Sequence, residues 1–346
     1  MSKTARSAYA KAGVDIDVKM GAVASIKEMV ASTKTQSAIG GIGSFGGLFK
    51  APSGRNMVLV ASTDGVGTKL KVAAMAGKHD TVGQDIVNHC VNDILVQGAK
   101  PLFFMDYVGT AKVDPVVFKS VVSGLCKACR ENGMTLLGGE TAEMPGLYPA
   151  GEYDLVGTIV GCVEKDAIIT GKSIRAGDMI VGLPSGGLQT NGYSLARRVV
   201  FDLCQYSWKD KLPGTDRTFG DALLAVHKSF LRPVSKLLER KVRITGMAHI
   251  TGGGFQDNIP RVLPKCVNAE IDRATWEVPT IFKFIQNQGK VDRDEMYRVF
   301  NMGIGYVIVI PKPEMAKATN ILRAMHQPYS VIGTIRKGTG IVTYKN

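Results

Sequence analysis

The stretch MVLVASTDGVGTK, Met57 to Lys69, runs from an apolar strand, Met57 to Ala61, straight into a turn carrying a carboxylate, two glycines, a hydroxyl and an ammonium. A strand that delivers polar groups from its end is a working unit of mixed proteins, and strand-like runs alternate with amphipathic stretches along the chain. The fold class is therefore α/β or α+β. Further strands are expected at Leu102 to Val108, Met134 to Leu137, Leu155 to Val163, Met179 to Leu183 and Tyr306 to Ile310. The clearest helix starts after Asp114, a good N-cap, with Pro115 at its first position, and stops near Asn132 and Gly133, which suit a left-handed C-cap. A length of 346 residues exceeds the usual single core, and the polar stretch Lys165 to Asp178 divides the chain into expected domains 1–168 and 169–346.

Composition narrows the class of function. With 45% hydrophobic and 21% charged residues the chain has the means to bury a core, which excludes a largely disordered protein. Lys3, Arg6 and Lys11 are followed by Asp15 and Asp17 rather than by an apolar block, so no signal peptide is expected. The longest apolar strings are too short to span a bilayer, which argues for a soluble, cytoplasmic protein without a membrane partner. Six scattered cysteines read as reduced thiols, and Cys126 and Cys129, with no second pair nearby, read as two cysteines of one helix. The net charge of +13 invites nucleic acid as a partner, but the basic residues are dispersed, as in Lys228, Arg232, Lys236 and Arg240. A small acidic substrate or a solvated basic surface fits better.

Several strings can carry chemistry. In Thr63 to Lys69, Asp64 is placed to hold a metal, while Gly65, Gly67, Thr68 and Lys69 can meet phosphate oxygens; a plain turn capped by Asp64 is the alternative. Gly40, Gly41, Gly43, Gly46 and Gly47 make a loop with a literal GxGxxG, yet Pro52, Ser53 and Gly54 interrupt the helix that a dinucleotide fold requires. That loop either lays backbone N–H groups over phosphates or is a surface hinge. Between Val82 and Gly98, Asp85, Asn88, His89, Asn92 and Asp93 fall on one helical sector; pattern alone favours a solvent-facing stripe, although its side chains are short and metal-competent. Glu140 and Glu143 follow a strand in GGETAEMPG and serve either a metal or a turn. SGGLQTNGYS, Ser185 to Ser194, and HITGGGFQDNIPR, His249 to Arg261, look like ligand-contacting loops running into helices, with Thr251, Gly252 and Gly253 able to cradle a phosphate. His249 taken alone reads more readily as a structural histidine.

Together these strings resemble the AIR synthetase family, the phosphoribosylformylglycinamidine cyclo-ligases. The likeness runs from YAKAGVDID at Tyr9 to Asp17 through TDGVGTK, CVND at Cys90 to Asp93, PLFFMDY at Pro101 to Tyr107, GGETAEMPG, TNGYSL and HITGGGFQDNIPR to FNMGIG at Phe300 to Gly305. Some strings are shared with formylglycinamidine ribonucleotide synthetase, selenophosphate synthetase and thiamine monophosphate kinase; YAKAGVDID and the full GGETAEMPG favour the cyclo-ligases. The resemblance implies a homodimer whose N-terminal sheets join in a barrel, each beside a C-terminal α/β domain. It also implies that ATP, bound under the glycine loop, phosphorylates the formyl oxygen of formylglycinamidine ribonucleotide before ring closure. By the same resemblance Asp64, Asp93 and Glu140 hold Mg2+, with K+ a further candidate ion. Lys27 and Lys69 neutralise the transferring phosphate, and the loops at Asn191 and from His249 to Asn258 hold substrate, with His249 a proton carrier. One position departs from the pattern: the family often has His before the Ser/Thr-Asn-Gly string, where this chain has Gln189, which cannot titrate.

Overall fold

The protein is described here by a computed structural model that covers residues 16–39, 48–54 and 56–345. Gly40 to Gly47 and most of YAKAGVDID lie outside the described residues. In chain order the first half contains helix α1 (Ile16–Ala31), the two-residue strands β1 (Ala38–Ile39) and β2 (Leu48–Phe49), and strand β3 (Met57–Gly65). Helices α2 (Lys69–Ala76) and α3 (Asp80–Leu95), strand β4 (Lys100–Thr110), helix α4 (Pro115–Glu131), and strands β5 (Thr135–Glu143) and β6 (Tyr153–Glu164) follow. Strands β3, β6, β4 and β5 form one sheet in that order, antiparallel except for the β4–β5 pair. Helices α3 and α4 pack together, and α3 lies against β3, β4 and β6. Asp114 caps α4 as its sequence predicts, its Oδ1 accepting from the N–H groups of Val116 and Val117. Gly133, just past the other end of α4, has φ +66°.

The second sheet takes six strands: β7 (Met179–Pro184), β8 (Gly246–His249), β9 (Val267–Asp272), β10 (Ile304–Ile310), β11 (Ser330–Lys337) and β12 (Val342–Lys345). Their order is β12-β9-β11-β7-β10-β8, and only the β12–β9 pair is parallel. Every residue of β10 is buried, as the unbroken apolar run Ile304 to Ile310 requires. Seven shorter helices complete this half: α5 (Tyr193–Arg197), α6 (Phe219–Leu223), α7 (Leu231–Glu239), α8 (Gly254–Asn258), α9 (Thr280–Gly289), α10 (Arg293–Val299) and α11 (Met315–Ala324). All six cysteines are free, and Cys126 and Cys129 are buried side by side on α4. Among the described residues no helix is long and apolar enough to cross a membrane.

The polar stripe on α3 overturns the solvent-facing expectation, because Asp85, Asn88, His89 and Asn92 are all buried. Asp85, Asn88 and Asn92 hold the backbone that leads into α7. Asp85 Oδ1 accepts from the His227 N–H at 2.7 Å, Asn88 Nδ2 donates to the His227 carbonyl at 2.7 Å, and Asn92 Nδ2 donates to the Lys228 carbonyl at 2.8 Å. Asn92 Oδ1 also accepts from the Phe230 N–H at 2.9 Å. Buried backbone groups need partners, so a helix of the first half satisfies a loop of the second and fixes their mutual position.

Helix α3 meets α4 backbone to backbone at two glycines. A Cβ on Gly83 would stand 2.2 Å from the Val121 carbonyl oxygen, and one on Gly124 would stand 2.0 Å from that of Asp80. Gly124→Ala therefore pushes apart the helix that carries the stripe. The expected loss is about 1–3 kcal/mol, read from the urea midpoint, and an unchanged midpoint would show that the crossing has slack.

Candidate active site

Strand alternation turns Ser62 and Asp64 toward α3, where Asp93 and His89 wait one helical turn apart. His89 Nε2 lies 3.0 Å from Asp64 Oδ2 and 3.5 Å from Asp93 Oδ2, and Ser62 Oγ donates to Asp93 Oδ2 at 3.2 Å. From the second sheet, His249 at the end of β8 brings its Nδ1 to 2.9 Å from Asp93 Oδ1. These groups line a cavity of about 300 Å³ together with Thr251, Asn258 and Arg261. The carboxylates are its accessible part: Asp64 is 44% and Asp93 26% exposed, against 4% for His89 and 3% for His249.

Behind the cavity stands a fully buried third imidazole, His227. Its Nε2 is 3.0 Å from His249 Nε2 and 2.9 Å from the Gln189 side-chain amide, and its Nδ1 is 3.4 Å from Thr190 Oγ1. Thr190 Oγ1 is also 2.8 Å from His89 Nδ1.

Charge follows from these neighbours. Burial pushes the pKa of His89 down, but its hydrogen bond to Asp64 and the charges of Asp93, Asp64 and Asp85 outweigh burial and raise it. Burial pushes Asp64 and Asp93 up, yet the histidines beside them leave both below the ordinary value of 3.8. His227 is held well below 6.5 by burial and then by the charges of His249 and His89, and burial also lowers His249. One proton assignment serves these contacts once the Gln189 amide is turned so that its oxygen, not its nitrogen, faces His227 Nε2 and accepts from it; that turn also gives a partner to the amide oxygen otherwise buried without one. His89, charged, donates to Asp64 and to Thr190; Thr190 donates to His227 Nδ1; His227 Nε2–H faces His249 Nε2; and His249 Nδ1–H donates to Asp93.

Comparisons with known proteins show the family of the chain. Residues 46–163 match the family described as AIR synthase related protein, N-terminal domain, and residues 175–345 match AIR synthase related protein, C-terminal domain. A phosphoribosylformylglycinamidine cyclo-ligase of Geotalea daltonii is 49% identical over 97% of both chains. The chain belongs to the phosphoribosylformylglycinamidine cyclo-ligase family. The Alkaliphilus metalliredigens cyclo-ligase is 46% identical over 96% of both chains. Among solved structures, thiamine-monophosphate kinase from Stenotrophomonas maltophilia K279a superposes with a TM-score of 0.67, covering 92% of this chain and 95% of the kinase. Hydrogenase maturation protein HypE in complex with ATP gives 0.66, covering 93% and 90%. Both are 16% identical and share the fold.

Of the residues that cyclo-ligase resemblance singles out, Asp64, Asp93, His249, Thr251 and Asn258 meet at one cavity. Thr68 reaches the second half through its hydroxyl, 3.3 Å from Ser194 Oγ. Asn191 turns its carboxamide oxygen toward Gly252, at 3.1 Å from where a Cβ would stand. Gly252 and Gly253 also line a second cavity with Asp257 and Arg298. Gly65 ends β3 and its N–H donates to Asp64 Oδ1 at 2.7 Å; Gly67 follows with φ +70°.

Other residues stand elsewhere. Lys69 does not reach an open phosphate site: it is fully buried, its Nζ 2.6 Å from Asp85 Oδ2 and donating to the Ala225 carbonyl at 2.8 Å. Glu140 pairs in register with Tyr107 on the face of the sheet opposite Asp64, so within one chain it cannot share a cation with Asp64 and Asp93. Its Oε1 accepts from the Thr141 N–H. Lys27 is exposed on α1, the helix packed on α4 and β5. His249 cannot pass protons directly to a ligand in this arrangement, since Asp93 and His227 occupy both of its nitrogens. Asn258 is turned inward, its Nδ2 donating to the carbonyls of Thr251, Gly252 and Gly254, so it shapes the loop. His227 is the member that sequence reasoning passes over, and Thr190 enters it only within the string Ser185 to Ser194. His89 carries a signal in the α3 stripe, whereas His227 stands in no recognisable string.

A histidine kept neutral by burial makes stability depend on acid. Below about pH 6.5 the unfolded chain protonates at position 227 while the folded chain does not, so stability falls as pH falls. His227→Gln should reduce the acid-side slope of unfolding free energy by about 0.7 kcal/mol per pH unit at pH 6.5, rising toward about 1.4 near pH 5, measured by urea titration between those values. An equal slope in both proteins would mean that His227 is charged in the fold.

Proposed function

We propose that this chain closes the imidazole ring of formylglycinamidine ribonucleotide at the expense of ATP, giving 5-aminoimidazole ribonucleotide, ADP and phosphate. The observation that carries the reading is the likeness to cyclo-ligases at 49% identity over 97% of both chains, which includes the strings that build the cavity. In the reaction the γ-phosphoryl group passes to the formyl oxygen, breaking its bond to ADP. The nitrogen that enters the ring then attacks the formyl carbon, loses a proton, and the carbon–oxygen bond to phosphate breaks. Such a transfer needs positioning and charge neutralisation more than a protein nucleophile.

Asp64 and Asp93 fit a divalent cation. They are hard oxygen donors at the cavity mouth, and the charged His89 already lies between them as a cation would. With Mg2+ bound there, positive charge is supplied to the polyphosphate. Asp93 is held in place by Ser62 and His249, Thr251 offers a hydroxyl to the cavity, and Arg261 offers a guanidinium at its rim. The domains 1–168 and 169–346 would contribute Asp64 with Asp93 and His249 with Thr251, respectively. K+ and a cytoplasmic location belong to the same reading, without nucleic acid or membrane partners.

A homodimer is part of it as well. The face of the first sheet turned away from α3 exposes Leu59 at 63% and Met105 at 38%, beside Ala61, Phe103 and Val160. An exposed apolar sheet face of this kind marks an interaction surface, and a second copy of the same face covers it with matching chemistry. Leu59→Glu should shift the protein toward monomer in sedimentation velocity; an unaltered dimer would place the interface elsewhere.

The decisive assay follows ADP and the aminoimidazole product together, with ATP, Mg2+ and formylglycinamidine ribonucleotide, against a control without the amidine. Matched formation of both is expected. ADP alone would point to a kinase of the same fold, and neither would remove the reading. Asp93→Asn should lower kcat by about 10²-fold or more while the protein stays folded by circular dichroism; a near-normal rate would take Asp93 out of the charge-handling role.

A further inference from the structure

Position 189 and position 227 meet at one point of the molecule. Gln189 is in the left-handed region, φ +63°, and buried; a Cβ on Gly305 would come within 2.3 Å of the end of its amide, so that glycine makes the room. The amide ends 2.9 Å from His227 Nε2, and that nitrogen is 3.0 Å from His249 Nε2. Members of the family often carry histidine where this chain has Gln189, and this chain carries a histidine directly across the contact.

We propose that His227 has taken over the imidazole role of position 189, and that it acts as the positioning residue that fixes the tautomer and orientation of His249, and through it Asp93. The proposal rests on the reading above for its link to ring closure.

Three observations support it. First, His227 is fixed rather than merely accommodated: its N–H is held by Asp85 and its carbonyl by Asn88, so the ring leaves the backbone at one defined angle. Second, its ring edge is fully engaged, with Thr190 on Nδ1 and His249 and Gln189 on Nε2. A proton on His227 Nε2 leaves His249 Nε2 as the acceptor and puts the His249 proton on Nδ1, facing the Asp93 carboxylate. Third, His227 does not line the cavity that contains Asp64, Asp93 and His249, so its action passes through His249 rather than to a ligand. Because the two side chains meet end to end at His227 Nε2, which is itself 3.0 Å from His249 Nε2, an imidazole from position 189 with an amide from position 227 would fill the same junction.

The test is an exchange. His227→Gln should lower kcat about 10- to 100-fold, the range for groups that orient a functional histidine, with KM for ATP and for the amidine little changed. Gln189→His combined with His227→Gln should recover most of that loss, because the imidazole returns to the junction from the other side. An undiminished kcat in His227→Gln would overturn the proposal, as would a folded double variant that stays as slow as the single one. If the single variant does not fold, the double variant decides alone: activity supports the exchange, and a folded, inactive protein overturns it. A readout independent of turnover uses the wild-type protein labelled with 15N-histidine. Imidazole shifts should place the proton of His249 on Nδ1 and that of His227 on Nε2; a His249 proton on Nε2 would overturn the proposal even if the chain proves to act on another substrate.

Discussion

The contact on which the site depends is the buried pair of Lys69 and Asp85, 2.6 Å apart with neither side chain exposed. Burial lowers the pKa of Lys69 and raises that of Asp85, and each partner's charge opposes the change. Two charges taken out of water are held only where geometry and extra hydrogen bonds compensate, and here the extra bonds go to one short segment: Lys69 to the Ala225 carbonyl, Asp85 to the His227 N–H. A hydrophobic pair would fill that volume at lower cost in desolvation, but it would not hold the segment at a fixed height on α3. The pair therefore sets the register of the two halves, and the seating of His227 against His249 follows from it.

That role explains why TDGVGTK contains both a surface group and a core group. Asp64 ends a strand with its carboxylate at a cavity, while Lys69, only five positions on, enters the core between α2 and α3. Motif reading assigns both to phosphate because the residue types suit phosphate; the direction of each side chain depends on the backbone between them, including Gly67 at φ +70°. Glu140 illustrates the same limit. The strand expected to stop at Leu137 runs on to Glu143, so Glu140 lies within it, and which face a strand residue takes is a matter of period-two register against β4, which one residue of slip reverses. The strands themselves were legible, because long apolar runs such as Tyr306 to Ile310 have few alternatives, and so was α4 with its Asp114 cap and Pro115.

The α3 stripe shows how much a helical pattern can carry. Spacing put Asp85, Asn88, His89, Asn92 and Asp93 on one side, and the structure keeps them there. What spacing cannot tell is whether that side meets water or protein. Side-chain length was the better guide: short carboxylates and amides reach backbone groups of a packed segment without the entropy cost of ordering lysine or glutamate. His227 had no such marker. It lies in AVHKSF, between an apolar helix and a basic one, and becomes meaningful only because Asp85 and Asn88 bring that segment to the second sheet.

Around Asp93 the interactions converge on one electrostatic outcome. Ser62, His89 and His249 all address its carboxylate, and although burial alone would raise its pKa, the His249 hydrogen bond and the charges of His89 and His249 hold it below the ordinary value. A carboxylate supported in this way is a poor proton acceptor, because protonation would have to displace donors already in place. It is correspondingly well suited to keep its negative charge when a cation arrives, and to keep its orientation while a polyphosphate changes charge beside it. The histidines behind it then serve the carboxylate rather than the substrate: neutral His227 and His249 direct a proton at it, and charged His89 balances it. On this view the site is built to present two stable negative charges at the mouth of a cavity, and its imidazoles are the means by which the fold keeps those charges in place.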